Sequence, residues 1–516
     1  MARGQGCRRA SGAVLGRIAD LAIAITLAGC TVGPDYVQPD APVPAAYKEA
    51  WKPGPREKGW AQARPADAID RGAWWSIYRD PVLDRLERQI DISNQNLKAA
   101  EAAYREAEAA VAAARAQFFP TAALNGSATR TRSSGNSAPT AGFSGGITNR
   151  FQTQTTASWV PDLWGSVRRQ VEGNVANAQA SAATLANARL SAQGTLATAY
   201  VELRVADELA RLLTAEVKAF SQALKITQSQ YQGGTTDQSA VAQAQAQLDA
   251  TRAQLIAVGV TRAQLEHSIA VLIGKPPAEL TIAPTDAVLD VPLVPAEVPS
   301  ALLQRRPDIA AAERDMQAAN AQIGVDAAAF YPNVTLSANY GVSSEMLRRL
   351  FNTSSRIWSF GSTLAETIFD GGARNAQLER DKAAYDGSVA NYRQAVLTAF
   401  QQVEDELAAE RILAEQAVAQ DSAVKAARSA EATINKQYLA GTQAYTAVIV
   451  AENTALADAE TTLNIRQSRL VASVALIEAL GGSWDATQIP NREQIESDVP
   501  LNFNPLPPTF PAPVKK

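Results

Sequence analysis

The chain has 516 residues, enough for several ordinary domains; its residues are 46% hydrophobic but only 6% aromatic, a balance typical of close helix packing rather than an enzyme core. A formal net charge of −4 argues against nucleic acid as the main partner. His267 is the only histidine, which excludes His-based triads and multi-histidine metal sites; we expect it on a helix surface. Because G-x-S-x-G and phosphate-binding loops are also absent, we predict no enzyme activity and no cofactor.

The N-terminus predicts export. Residues 1–29 combine four arginines with the short apolar run IADLAIAITLA and read as a signal peptide. The run ends in LAGC at Cys30, the pattern of a bacterial lipobox, so we expect cleavage before Cys30 and a covalent lipid on its thiol. The alternative is a plain signal peptide followed by a chance cysteine. Since Cys7 is removed with the signal, no disulfide framework is possible.

Two proline-rich segments flank the rest of the chain. Residues 30–73 form the expected lipidated extension, and residues 486–516 form a C-terminal tail. Proline removes hydrogen-bond donors and fixes extended backbone, so both segments are expected to lie along other parts of the molecule as tethers.

Between these segments the chain repeats itself. AQFFPTAALNGSA (116–128) is echoed by AAFYPNVTLSANY (328–340), and AYVELRVADELARLL (199–213) is echoed by AFQQVEDELAAERIL (399–413). Such self-similarity indicates an internal duplication. The predicted boundaries are a first repeat at 74–275, an equatorial linker at 276–298 and a second repeat at 299–485.

Each repeat begins with one predicted helix, over about 82–117 and 299–329, followed by two strands. The strand FQTQTTASW (151–159) alternates perfectly, and VTLSANY (334–340) sets Val, Leu, Ala and Tyr against Thr, Ser and Asn. This period of two is typical of a half-buried strand and equally of a transmembrane barrel strand with lipid outside and water inside.

Long helical hairpins follow the strands. Proline-free helical segments run from about Leu163 to Tyr231 and from about Arg374 to Tyr438, and each returns through a second helix with heptad spacing. The turns between the arms are near-copies, QYQGGTTDQ (230–238) and QYLAGTQAY (437–445). At about 1.5 Å per residue the first arms would each extend for roughly 100 Å.

Four strands cannot close a barrel, and open sheet edges are not tolerated in lipid. If the strands span a membrane, several copies must share one barrel. A homotrimer with twelve strands is the simplest arrangement.

Several of these stretches together resemble a known family. LAGCTVGPDY, the segment LLQRRPDIAAAERDMQAANAQIGVDAAAFYPNVTLSA (302–338), IFDGGARNAQ (368–377), AVLIGKPP (270–277) and the two Gly-Thr turns are similar to the outer-membrane efflux lipoproteins of the TolC superfamily, OprM/NodT branch. The similarity covers roughly residues 30–485.

The resemblance implies an α+β membrane protein: a trimeric twelve-stranded transmembrane β-barrel, four strands per chain, continuous with a long periplasmic α-helical barrel and a mixed equatorial domain. It implies an outer-membrane channel of a tripartite efflux system, which passively exports small molecules from an inner-membrane RND-type pump through a periplasmic adaptor. Thr31, which follows the lipid-bearing cysteine, is not the aspartate associated with inner-membrane retention and fits delivery to the outer membrane.

The hairpin tips are the candidate gate at the periplasmic mouth. Relatives often carry an aspartate nine residues after the tip glycine, where a trimer makes an acidic ring. Counted from Gly441, that position is Val450, and the analogous narrow hydrophobic position falls on Thr446. Asp237 is an alternative source of charge. The tyrosines either wedge the tip closed, contact the adaptor, or simply pack at the helix ends. The full candidate set is Tyr231, Asp237, Tyr438, Gly441, Gln443, Tyr445, Thr446 and Val450.

Two other functions remain compatible with the residues themselves. One is an outer-membrane duct for peptide or protein secretion with an ABC-type exporter. The other is a periplasmic scaffold lipoprotein without a pore, which would explain the heptads but not the barrel-like strands.

Overall fold

In a computed structural model of the chain, the residues described are 31–49, 72–132, 134, 147–292, 294 and 304–504. The predicted signal peptide and Cys30 lie outside these residues, as does most of the β1–β2 loop. The described elements follow the order of the two repeats. In the first they are α1 (Pro81–Ser93), α2 (Gln95–Ala116), β1 (Thr121–Arg132), β2 (Ile147–Trp159), α3 (Ser166–Gln232) and α4 (Gln238–Leu272); in the second, α5 (Pro307–Ala328), β3 (Asn333–Ser344), β4 (Arg356–Ala365), α6 (Ala373–Leu439) and α7 (Tyr445–Ala479); then α8 (Arg492–Asp498).

The internal duplication is confirmed. The long arms α3 and α6 both have 67 residues, and the return arms α4 and α7 both have 35. Both long arms begin after a glycine with positive φ, Gly165 and Gly372, at the position where a side chain would be strained. The predicted ends of these helices are within three residues of the observed ends.

The four strands form one antiparallel sheet in the order β1-β2-β3-β4. Residues directly opposite each other in such a sheet share a face. Tyr340 lies between Thr155 and Trp358, and Ala338 lies between Ala157 and Phe360. The predicted apolar faces of β2 and β3 therefore coincide and continue onto β4.

The two faces of the sheet differ in chemistry. One carries Leu124, Trp358, Phe360 and Leu364, each more than two-thirds exposed in the single chain. On the other, polar side chains bond across the strands, Asn339 to Ser359 at 2.8 Å and Asn125 to Thr156 at 3.3 Å. An exposed apolar face opposite a polar one is the pattern of a barrel wall between lipid and water.

The equatorial core gathers the segments expected there. Trp74, Leu83 and Ile90 pack with Ile282 and Leu289 of the linker against the middle of α3 and the C-terminal ends of α4 and α7. A buried ion network crosses this region: Asp207 binds Arg204 at 3.0 Å and Arg262 at 2.8 Å. Arg262 is a charged residue within the apolar heptad pattern of α4. Its guanidinium binds Asp207 of α3 and also Glu266 at 2.7 Å, which explains the interruption of the pattern.

The single helix predicted over 82–117 is wrong in one respect, because it breaks into α1 and α2 at Asn94. The Asn94 side chain accepts from the Leu97 amide and donates to the Leu272 carbonyl at 2.7 Å. The Asn94 side chain thus caps the N-terminus of α2 and holds the junction of α1 and α2 against the C-terminal end of α4. In the second repeat α5 starts at Pro307, a residue favoured at the first helical position.

The C-terminal tail is not only a tether. Asn491 and Gln494 form a capping box that starts α8, and Ile495 is fully buried in a cluster with Val111 and Val171. The local signal for this short helix is the Asn-x-x-Gln spacing.

The N-terminal extension lies along both repeats, as expected for a tether. Val32 donates to the Trp164 carbonyl, and Arg169 binds Asp35 at 2.7 Å. Gly33, with φ of 99°, lies so close to Gly324 that a Cβ would approach its Cα to 2.5 Å. Farther along, Glu404 accepts hydrogen bonds from the amides of Lys48 and Glu49, so this carboxylate holds the extension against α6.

By length and composition alone, α4 is apolar enough to cross a membrane. This is weak evidence, since α4 is the Ala-rich return arm of a hairpin and packs along α3. His267 is exposed on its surface.

Candidate periplasmic gate at the hairpin tips

The two tips have the same backbone geometry. In the first, the amides of Thr235 and Gly234 donate to the carbonyls of Gln230 and Tyr231 at 2.9 and 3.0 Å. In the second, Thr442 and Gly441 donate to Gln437 and Tyr438, both at 2.9 Å. These paired bonds are Schellman motifs, which require a left-handed residue; Gly234 and Gly441 supply φ values of 72° and 73°.

The repeated threonine completes each turn. The hydroxyls of Thr235 and Thr442 donate at 3.0 Å to the carbonyls of Gln230 and Gln437, which already accept from the backbone. The recurrence of Gly-Thr after Gln-Tyr in both turns is therefore explained by helix termination.

The return arms begin differently. Asp237 accepts from the Ala240 amide at 3.0 Å and from the Ser239 hydroxyl at 2.5 Å, so its carboxylate caps α4, and these hydrogen bonds hold its pKa below the usual value. Its counterpart Ala444 has the same extended backbone but no side-chain cap. Asp237 as a source of gating charge stays a prediction.

Two of the three tip tyrosines join the hairpins to each other. The Tyr438 hydroxyl binds Gln230 Oε1 of the first tip at 2.5 Å, and its ring lies 5.2 Å from that of Tyr445. Tyr445 is buried with Phe220 and Leu224 of α3. This burial, with the negative charge of Glu452, raises the pKa of Tyr445 to about 12.

The remaining tip residues are accessible in the single chain. Tyr231, the counterpart of Tyr438, is 46% exposed, and Gln443 is also exposed. Tyr231 and Gln443 are thus placed where a partner could reach them, whereas Tyr445 is not.

Thr446 and Val450 lie together on the side of α7 away from Tyr445. They line a groove of about 480 Å³ between α6 and α7, with Ala427, Ile434 and Ala451 on its walls. Val450 is 66% exposed. The groove is apolar, so this surface suits packing better than the binding of a charged group.

Three carboxylates meet behind the tip, one from each of three helices. Glu452 of α7 lies near Glu431 of α6 and Glu216 of α3, while Asn435 is its hydrogen-bond partner. Burial and the two neighbouring negative charges raise the pKa of Glu452 to about 7. Its Oε2 atom is buried without a hydrogen-bond partner among the described residues. A carboxyl group with such a pKa gains or loses its proton near neutrality.

Sequence reasoning missed Gln230 and this carboxylate cluster. The repeated Gln-Tyr pair was a visible signal for Gln230. No local pattern marks Glu216, Glu431 and Glu452, because their meeting depends on the packing of three distant helices.

The sequence and fold match known outer-membrane proteins. The outer membrane efflux protein family matches residues 87–275 and 298–482. The chain belongs to this family. It is 31% identical to the antibiotic efflux pump outer membrane protein ArpC of Pseudomonas putida, over 90% of this chain and 95% of ArpC. It is 28% identical to the cation efflux system protein CusC of Escherichia coli, over 90% and 97%.

A solved structure shares the whole architecture. The open state of the MtrE outer membrane channel of Neisseria gonorrhoeae superposes with a TM-score of 0.76 at 26% identity, covering 89% of this chain and 99% of MtrE. The predicted fold class and outer-membrane localisation are thereby confirmed, and the protein is an outer-membrane efflux channel. The relatives named above are efflux proteins rather than enzymes.

Proposed function

We propose that three copies of this chain form the outer-membrane duct of a tripartite efflux system. A periplasmic adaptor and an inner-membrane RND-type pump deliver small molecules, which then leave passively. The observation that carries the proposal is the four-stranded sheet with one apolar and one polar face, since its free edges β1 and β4 must be paired for it to lie in lipid. Three sheets give twelve strands.

We further propose that the duct closes at the hairpin tips by apolar packing around Val450. The groove beside Val450 and Thr446 is apolar, and the nearby acids Glu431 and Glu452 lie on the seam between hairpins instead. The lipid on Cys30 would anchor the extension whose first described residue, Thr31, lies against Gly165 at the base of the sheet.

Planar-bilayer conductance of the full-length protein tests this function. Wild type is expected to show rare, small openings, and Val450→Asp larger and more frequent ones because three carboxylates would repel each other at the closed tip. Val450→Leu is the matched control and should stay closed. Absence of channels from wild type and Val450→Asp alike would contradict the duct and favour a scaffold.

The names of relatives favour export of small solutes over protein secretion. ArpC is named for antibiotics and CusC for cations, and both match this chain over nine-tenths of its length. Deletion is expected to sensitise cells to toxic small compounds only when the cognate pump is present.

A further inference from the structure

Positive charge is concentrated in the sheet. The two strand-bearing segments, 121–159 and 333–365, contain six arginines, no lysine and a single acid, Glu345, although the whole chain has a net charge of −4. The loop sequence at 133–146 adds no charged residue. The arginines are Arg130, Arg132, Arg150, Arg348, Arg349 and Arg356.

All six lie at the end of the sheet away from the helices. Arg130 and Arg132 end β1, and Arg356 begins β4, whereas the opposite ends of these strands connect to α2 and α6. Arg348 and Arg349 lie in the turn between β3 and β4. In an outer-membrane channel with periplasmic helices, this end faces the cell exterior.

The strand register assigns the arginines to faces. Arg356 is opposite Val342, on the same face as Tyr340 and Trp358. Arg130 is opposite Asn149, two residues from Phe151, and shares that apolar face. Arg132 follows on the same side, so three arginines point outward. Arg150 is opposite Thr129 and therefore lies on the polar, inward face.

Arg130 and Arg132 lie beyond the Phe151 end of an apolar band on the same face, and Arg356 is the first residue of β4, at the exterior end of its strand. From Trp159 to Phe151 the band covers eight residue steps, roughly 27 Å along the strand; at a strand tilt of about 40° this spans roughly 20 Å of a lipid-facing belt about 25 Å tall. Trp358 is one step on the outward face from Arg356. The guanidinium groups are thus at the level of the lipid headgroups of the outer leaflet.

No ion pair within the described part of the chain occupies these arginines. Arg130, Arg132 and Arg356 are exposed and enter no ion pair among the described residues, whereas arginines of the helices, such as Arg204 and Arg262, bind carboxylates. A guanidinium matches phosphate in charge and in two-pronged geometry.

We propose that Arg130, Arg132 and Arg356 form an outward collar that binds the phosphate groups of the outer-leaflet glycolipid. The collar rests on the outer-membrane orientation of the proposed duct but not on its gate or its cargo. Binding would fix the depth of the barrel in the membrane and would weaken as salt screens the charges.

The test is thermal unfolding of the full-length protein in detergent, titrated with bisphosphorylated lipid A. Wild type is expected to gain a higher Tm from this glycolipid and much less from its dephosphorylated form or from phosphatidylglycerol. In R130Q/R132Q/R356Q the apparent Kd should rise roughly tenfold or more. Arg150→Gln removes the same charge from the opposite face and should bind as wild type does.

Equal stabilisation by the dephosphorylated glycolipid or by phosphatidylglycerol would overturn the proposal, as would undiminished binding by the triple variant. If the triple variant does not fold, the single variants Arg130→Gln and Arg356→Gln take its place, each with partial loss expected. Bilayer conductance of the same samples separates the two proposals: without channels from wild type the duct fails, while the glycolipid titration still decides the collar.

Discussion

At the scale of single residues, one hydrogen bond between uncharged side chains joins the two hairpin tips. Tyr438 donates to Gln230 across the two hairpins, while the equivalent Tyr231 is exposed. The two tyrosines occupy equivalent positions in the repeats but make different contacts. Only Tyr438 is expected to resist separation of the hairpins.

Tyr438→Phe tests this difference. Loss of the hydroxyl should weaken the contact between tips by about 1 kcal/mol, since one hydrogen bond is removed while the ring packing stays. Amide hydrogen exchange in residues 230–238 and 437–445 should accelerate several-fold. Tyr231→Phe, the repeat-equivalent control, should leave exchange unchanged; equal effects of the two changes would refute the role given to Tyr438.

The raised pKa of Glu452 predicts how the packing of the two hairpins at the tip changes with pH. Its pKa is raised to about 7 in the packed seam, above the ordinary 4.5, so the packed state holds a proton that the separated state releases. This contribution to packing is fully present below about pH 4.5 and is lost as pH rises through about 7. Opening should therefore increase over this range.

Glu452→Gln should flatten that response, because the amide stays neutral at every pH. The measurement is open probability in planar bilayers between pH 5 and 8. Glu415→Gln, at an exposed site on α6, is the control and should keep the wild-type slope. If the change of open probability with pH is the same in Glu452→Gln as in wild type, groups other than Glu452 cause the pH dependence.

At the scale of elements, the equatorial ion network fixes where α3 and α4 meet. Asp207 is buried and serves both Arg204 and Arg262. Asp207→Ala would leave two cations facing each other with too little compensation, at a cost of about 3–5 kcal/mol. Asp249→Ala breaks the exposed pair with Arg252 instead and should cost under about 1 kcal/mol. Tm values that fall equally in both variants would contradict the structural role of Asp207.

The sequence predicts an element well when the residues that determine it are close together in the chain. The alternation in 151–159 predicts a strand and its faces because lipid and water select opposite residue types on the two sides. Glycine likewise marks both ends of the long helices. The break at Asn94 needs the carbonyl of Leu272, the docking of Lys48 and Glu49 needs Glu404, and neither partner is near in sequence. Residues that depend on such distant partners are visible only in the fold.

At the scale of the whole molecule, the extension from Thr31 to Glu49 connects the base of the sheet to the middle of α6. It is attached by Arg169 at one end and, at the other, by Glu404 and Arg411, which binds Glu49 at 2.7 Å. We therefore expect the extension to fold without the lipid predicted at Cys30.

Cys30→Ser should consequently give a folded, channel-forming protein that lacks the lipid. Intact mass spectrometry should show wild type heavier than the chain from residue 30 by the mass of glyceryl and acyl groups, and the variant without that addition. The variant should also be recovered less completely in the outer-membrane fraction, because one anchor is gone. A wild-type mass equal to the bare polypeptide would refute lipidation.

Asp237 caps its return arm, and Ala444 leaves the other arm uncapped. In a ring of three chains, six tips would thus alternate between two kinds around the periplasmic mouth. Such a mouth has threefold rather than sixfold symmetry, although its backbone turns are nearly identical. A protein that docks on all six tips would therefore meet two inequivalent sets of sites, three with a capped return arm and three without.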